Sequence, residues 1–359
     1  MHLKWIKLTN FKNFPEFQIE FSPKINAFVG KNGAGKTNVL DAVHYLALSK
    51  SYLNHSDALN INFEADFFSL EGLFLKSDTE DLIFCGVQEK KPKVLKRNSK
   101  TYDRISDHIG LFPLVMISPY DSDLIKDGSE TRRRFIDNII SQSNKVYLND
   151  LIRYNRVLQQ RNSLLKYFHQ NNTFDAVSLE IYDQELIPLG QNIHQIRNEF
   201  IQEFLPIFQQ YYQFISQGNE SVGIRYESQL SEDKLENLLR NNLTKDRSAH
   251  YTTQGIHKDD LSFEIMNYPI KKFGSQGQQK SYLIALKLAQ FEIIQQTVGI
   301  TPLLLLDDIF DKLDENRVEQ LIKLVNEERF GQIFITDTHP ERTEMIIKKI
   351  NAESKVFRL

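Results

Sequence analysis

The sequence predicts an α/β protein: a head whose parallel sheet carries a phosphate loop, an antiparallel β part, and a helical arm. Three observations predict it. Residues 25–48 read as strand, glycine loop and helix. Residues 301–308 (TPLLLLDD) read as a buried strand that ends in acids. Between them lies a long stretch of helical periodicity, from about 120 to 217.

The elements follow in chain order. Phe17, Ile19 and Phe21 alternate with Gln18 and Glu20, the period of a strand with one buried face. Ser22-Pro23 marks a turn, and INAFVG (25–30) is a short apolar run that ends in glycine. In the next segment Val39, Val43, Leu46 and Ala47 share one helical face. Residues 60–118 contain the strand-like groups FFSLEGLFL, LIFCGV and PLVMIS. Leu151, Tyr154, Leu158, Leu165 and Phe168 then recur at helical spacing. After NNTFD (171–175), Tyr182, Leu186, Leu189, Ile193, Ile196, Phe200, Phe204, Phe208, Tyr211 and Ile215 do the same. This pattern predicts two antiparallel helices whose stripes form a packed core, with Pro188 and Pro206 kinking or interrupting the second. GQIFITDTH (331–339) reads as another buried strand. The expected division is a head of 1–120 and 240–359, with 121–239 as the inserted arm.

Composition narrows the class. At roughly 150 residues per domain, 359 residues allow two or three domains. Lysine and arginine number 44 against 47 acids, a net charge of -3, so any nucleic-acid contact must be a local basic face. The single cysteine, Cys85, excludes a disulfide framework and a cysteine-based zinc site. The longest aliphatic run, Leu303 to Leu306, falls far short of the ~20 residues that span a bilayer. The N-terminal segment has no apolar core of signal-peptide length. A cytoplasmic chain with no membrane partner is expected.

The chemistry sits in a few motifs. Gly30-Lys31-Asn32-Gly33-Ala34-Gly35-Lys36-Thr37 fits G-x-x-x-x-G-K-[ST] without a mismatch, between a strand and a helix. The glycines let backbone N–H groups face a phosphate, and the helix N-terminus adds partial positive charge. Lys36 is expected to reach the β- and γ-phosphates of ATP, and Thr37 to ligate Mg²⁺. Asp307 closes a buried strand and is placed to hold the Mg²⁺, while Asp308 is placed to polarise the attacking water. Roughly 270 residues separate the loop from Asp307, so a helical insertion is needed, and the segment 130–217 supplies it. Ser275-Gln276-Gly277-Gln278 opens the helix YLIALKLAQFEII, with Ser275 as its N-cap. The order of loop, insertion, S-x-G-Q, hhhhDD strand and Leu313-Asp314 is that of ABC-type ATPases. In that class the S-x-G-Q helix of one subunit closes on the γ-phosphate held by another, and two copies sandwich two ATP molecules.

Along essentially its whole length the chain resembles the RecF family of ABC/SMC-like ATPases of DNA repair. The resemblance rests on LTNFKNF (8–14), GKNGAGKT (30–37), ISPYDSDLIKDGSETRRRFID (117–137), GIHKDDL (255–261) and DDIFDKLDENR (307–317). Arg132, Arg133, Phe135, Ile136 and Asp137 match the family's segment, while Tyr120 stands where an acid is usual and Ser129 where proline is. Asp311-Lys312 replaces the usual small-then-acidic pair. The resemblance implies that Ser275, Gly277 and Gln278 act in trans on a partner's ATP and that Asp314 lies in the D-loop. Asp308 occupies the place of a catalytic glutamate in many ABC ATPases; its shorter side chain suits slow hydrolysis. The switch position is open between Asp337 and His339, and the usual Q-loop glutamine is not evident in 117–125.

The resemblance further implies a weak, DNA-stimulated ATPase that dimerises on ATP. It implies binding to duplex DNA near single-strand gaps and help to RecA filaments alongside RecO and RecR. Basic residues give that expectation a place. Residues 88–104 hold seven cations against Glu89 and Asp103, among them Lys90, Lys91, Lys93, Lys96 and Arg97. The first arm helix adds Arg153, Arg156 and Arg161 as candidate phosphate contacts. Arg132, Arg133 and Arg134 are open to internal pairing instead. Four other readings compete: a transporter ATPase subunit, an SMC-like structural protein, an overcoming-lysogenization-type nuclease, and a nucleotide-gated clamp without turnover. The long arm opposes the first, the short insert the second, and the lack of residues for a further catalytic domain the third.

Overall fold

A computed structural model describes residues 1–54, 56–218, 220–309, 319–320, 323, 329–350 and 352–359. The first part of the chain gives strands β1 (His2–Phe11), β2 (Phe14–Glu20) and β3 (Ile25–Val29), then helix α1 (Lys36–Leu48). Strands β4 (Phe67–Lys76), β5 (Thr79–Gln88), β6 (Val94–Arg97), β7 (Lys100–Thr101) and β8 (Leu114–Ile117) follow. The helical stretch comprises α2 (Asp123–Lys126), α3 (Ser129–Ser143), α4 (Lys145–Gln170) and α5 (Ala176–Ser216). Next come β9 (Val222–Glu227), α6 (Leu235–Asn241), α7 (Leu243–Ala249), β10 (Asp260–Ile265), β11 (Tyr268–Pro269) and α8 (Ile270–Phe273). Helix α9 (Gln276–Val298), β12 (Leu303–Asp307), β13 (Ile333–Asp337), α10 (Pro340–Ile350) and β14 (Ser354–Arg358) complete the described elements.

The chain forms two compact units. The first, Met1–Asp121 with Tyr211–Gln217 and Lys280–Leu359, holds two sheets. One is a parallel sheet of order β14-β3-β13-β12-β8, whose middle strands β3, β12 and β13 are buried at every residue. Strands buried on both faces read as continuous apolar runs, which is why INAFV, LLLLD and IFITD stand out in the sequence. The other sheet is antiparallel, of order β2-β1-β4-β5-β6-β7. Helix α1 contributes Val39, Leu40, Ala42, Val43, Tyr45, Leu46 and Ala47 to one core with residues of both sheets, such as Leu8, Phe68, Phe28 and Leu305. Most of the helix is therefore buried, and its enclosed polar groups find partners: Asp41 pairs with Lys12, and His44 bonds to the Lys50 carbonyl.

The second unit, Ser122–Gln210 with Gly218–Gln279, contains the helical pair and a three-stranded sheet of order β11-β10-β9. It runs on to Gln279, past the arm boundary expected at 239. The reason is physical: β10 pairs with β9, and Arg132, Arg133 and Arg197 of the helices bond to Asp259 and Asp260. The prolines do not interrupt the second arm helix. Helix α5 is continuous over 41 residues with Pro188 and Pro206 inside it. Each proline removes one helical N–H donor. Buried Leu186, Leu189, Ile193, Ile201, Phe204 and Phe208 on either side hold the helix through those gaps.

Candidate functional site

The phosphate loop leaves β3 at its buried end and enters α1 at Lys36. Gly35 has φ 102°, and a Cβ there would lie 2.6 Å from the Phe14 ring and 2.7 Å from the Asn13 amide. LTNFKNF thus packs directly on the loop, which explains why the two motifs occur together. At Gly30 the carbonyl oxygen of Leu359 occupies the space a Cβ would need, 2.4 Å away.

Lys36 is buried, and its ammonium donates to the carbonyl oxygens of Gly30 and Lys31 at 2.8 and 2.9 Å. No carboxylate lies within ion-pair distance of it among the described residues. Thr37 donates its hydroxyl to Asp307 at 2.8 Å, across a sequence gap of 270 residues. Asp307 also accepts from the hydroxyls of Thr336, at 2.8 Å, and Ser118, at 3.3 Å. Burial pushes the Asp307 carboxyl above its usual range, although these three hydroxyls and Lys36 oppose the shift. Asp308 sits at φ 51° and donates its N–H to the Thr336 hydroxyl at 2.9 Å. Left-handed backbone at a non-glycine residue costs on the order of 1 kcal/mol or more and clusters at functional sites.

Thr336 and Ser118 escaped the sequence reading because a lone hydroxyl at a strand end carries no motif. Ser118 is held in turn by Asp121, which accepts its N–H at 2.8 Å. Asp121 pairs with buried Lys287 of α9 at 2.7 Å and accepts from Tyr52.

The two switch candidates separate. Asp337 is buried and satisfied, accepting from the His339 N–H, the Thr343 hydroxyl and the Arg342 guanidinium at the start of α10. His339 is exposed and lines a cavity of about 1150 Å³ with loop residues 30–34, Arg342 and Arg358. Ser275 and Gln278 form a reciprocal capping box: the Ser275 N–H donates to Gln278 Oε1 at 2.7 Å, and the Gln278 N–H to Ser275 Oγ at 3.2 Å. Ser275 and Gln276 are exposed, with Gly277 half-buried beside them. Asp314 lies outside the described residues, as does the signature beyond Ile309.

The basic candidates divide. Arg161 is a correction: it is fully buried, paired with Asp183 at 2.6 Å and Asp246 at 2.7 Å, and bonded to Thr252. It therefore cannot reach a phosphate. Lys93 is mostly buried against Asp57 and the Ser49 carbonyl, and Arg97 makes a two-pronged bond to Asp81. Arg153 pairs with Glu185 and Lys90 with Glu89, both on the surface. Lys96 lies over the Phe84 ring, while Lys91 and Arg156 are exposed. Arg132 and Arg134 pair internally, with Asp260 and Glu130, and Arg133 donates to the Asp259 carbonyl. Arg197, unmarked in the sequence, is buried between Asp137 and Asp259.

Comparison with known proteins places the chain in a family. Residues 2–103 match the RecF/RecN/SMC N terminal domain. The chain is 55% identical over all 359 residues, and over the full length of both chains, to the DNA replication and repair protein RecF of Flavobacterium johnsoniae. The chain belongs to the RecF family. Its RecF relative in Cytophaga hutchinsonii is 43% identical, covering 99% of this chain and 94% of that one. A solved structure of the recombination mediator protein RecF with ATP in the RecFOR pathway superposes with a TM-score of 0.87 at 32% identity, over 94% of this chain and 92% of that one. An Smc head bound to the C-winged helix domain of ScpA aligns at 0.56 and 17% identity, over 96% and 92%, a likeness of fold alone. The fold is thus the α/β head of an ABC/SMC-type ATPase with a helical arm. Among the described residues no helix is long and apolar enough to cross a membrane.

Proposed function

We propose that this chain is an ATP-dependent DNA-binding protein of DNA replication and repair. On this reading it dimerises on ATP, grips DNA near single-strand gaps and aids RecA loading with RecO and RecR. Slow, DNA-stimulated hydrolysis then releases it. The observation that carries the reading is the Thr37–Asp307 hydrogen bond beneath an intact phosphate loop.

Residues 30–37 wrap the phosphates with backbone N–H groups, and the Lys36 ammonium exchanges two carbonyls for β- and γ-phosphate oxygens. Mg²⁺ fits the same place: Thr37 and Asp307 offer hard oxygen donors, the set such an ion prefers. The buried Asp307 carboxyl, held above its usual range, gains a counter-charge there. When bound, the ion neutralises charge on the phosphates. Asp308 accepts a proton from the attacking water, while Thr336 fixes the backbone on which Asp308 sits. Ser275, Gln276, Gly277 and Gln278 meet the partner's γ-phosphate. His339 faces the loop as the switch residue, whereas Asp337 caps α10. Lys90, Lys91, Lys96 and Arg156 remain the candidate duplex contacts from the sequence.

Light scattering with ATP, ADP and no nucleotide tests the cycle. ATP alone shifts the mass to a dimer, and Ser275→Arg blocks that shift while ATP still binds the monomer. Unchanged dimerisation of Ser275→Arg removes the in-trans role.

A further inference from the structure

The motif at 255–261 contains one residue that the arm's packing does not use. A Cβ at Gly255 would sit 2.5 Å from the Tyr154 hydroxyl. Ile256 and Leu261 are buried. His257 bonds through its two ring nitrogens to Tyr154 and the Thr252 carbonyl. Asp259 is held by Arg197 and Tyr226, and Asp260 by Arg132. Lys258 alone is exposed, and its ammonium lies 4.8 Å from the centre of the Tyr251 ring, itself 45% exposed.

Neighbouring residues extend this surface. The His250 ring stacks on His169 of α4 with centres 3.7 Å apart. Lys166, one turn earlier on α4, is exposed on the same side as His169. The Arg247 guanidinium lies 3.9 Å from the centre of the Phe174 ring. Among the described residues, none of Lys166, Arg247 and Lys258 has a carboxylate within ion-pair distance. On the same helix α4, Arg153 is paired and Arg161 is buried, so neither offers its charge as Lys166 does.

We propose that Lys166, His169, Arg247, His250, Tyr251 and Lys258 form a site for single-stranded nucleic acid on the arm unit. The cations pair with backbone phosphates and the rings accept unpaired bases. Paired bases keep their faces stacked on neighbours, so exposed rings beside free cations gain most from an unpaired strand. Lys258 is held in place by buried residues on both sides, so less freedom is lost when it engages a phosphate. The site rests on the reading of the chain as a DNA-binding protein, and it locates the unpaired strand of a gapped substrate.

The test compares a labelled gapped duplex with a fully paired duplex of equal length, by anisotropy of the full chain with ATP. Wild type binds the gapped duplex more tightly. In Tyr251→Ser with Lys258→Gln that preference falls roughly tenfold or more, the loss expected for one stacked base and one phosphate. Fully paired duplex binding and ATP-dependent dimerisation stay as in wild type. Tyr251→Phe and Lys258→Arg keep the preference, which a merely structural role for either side chain does not predict. A double variant with an unchanged preference, or a wild type with none, overturns this site. Failure of wild type to bind either duplex overturns the DNA-binding reading, and this site with it.

Discussion

The arm unit and the phosphate site of the head unit both bury charge, and they treat it differently. In the arm, each buried arginine is neutralised. Arg197 meets Asp137 and Asp259, and Arg161 meets Asp183 and Asp246. In the head, buried Lys36 rests on two backbone carbonyls, and the Asp307 carboxyl is held above its usual range by burial. The arm's charges answer one another and fix how helices α3, α4 and α5 meet the 252–260 segment. Elsewhere in the head buried Lys287 pairs with Asp121, whereas Lys36 and Asp307 have no ion-pair partner among the described residues, the arrangement expected of a site that takes an anion and a cation together. Buried charge that is satisfied marks structure, and buried charge that is not marks a ligand.

This contrast can be broken or sharpened by experiment. The largest effect is expected for Arg197→Ala, which strands Asp137 and Asp259 and costs about 3–5 kcal/mol of stability. Denaturant melting checks it; a loss below about 1 kcal/mol, the worth of a surface pair, removes the claim that the arm's charges are structural. A pH effect of nearly the same size belongs to His257, whose imidazole is pushed down to about 4 by burial. Below its unfolded pKa of 6.5 the unfolded chain takes up a proton that the folded chain refuses. Stability therefore falls as pH drops from 6.5 towards 4, by up to roughly 3 kcal/mol. His257→Gln should flatten that part of the stability curve, and an unchanged slope contradicts the assignment.

Lys36→Ala should act on binding instead of folding. It removes charge-assisted bonds worth roughly 2–3 kcal/mol of nucleotide affinity and leaves the melting curve nearly unchanged. Labelled-ATP titration reads the first and denaturation the second. Asp308→Asn should lengthen the ATP-bound dimer's life without weakening ATP binding; rapid dissociation counts against Asp308 as the base and favours a clamp without turnover. The smallest effect is expected at Arg153→Ala, below about 1 kcal/mol, because its pair with Glu185 is on the surface.

The same contrast explains what the sequence disclosed. The phosphate loop, the strand ending at Asp307 and the Ser275 cap are contiguous stretches whose chemistry and local structure coincide. Arg153 and Arg161 lie two turns apart on α4, yet one is exposed and the other fully buried. Asp183, Asp246 and Thr252, 22, 85 and 91 residues away, enclose Arg161, and no local pattern reports them. Arg197 and its partner Asp259 are separated by 62 residues for the same reason. Ser118 and Thr336 were hidden because their meaning comes from strand order β13-β12-β8, which brings three distant strand ends to one carboxylate. The boundary at 239 failed because β9 and β10 join the helices through pairing and ion pairs that the sequence spaces far apart.

The most direct measurement is the anisotropy of a labelled gapped duplex titrated with this chain in ATP, in ADP and without nucleotide. Tight binding is expected only with ATP, weakened by salt and absent in Lys36→Ala. Equal binding in all three conditions contradicts it, because occupancy of the phosphate loop does not then control the grip on DNA.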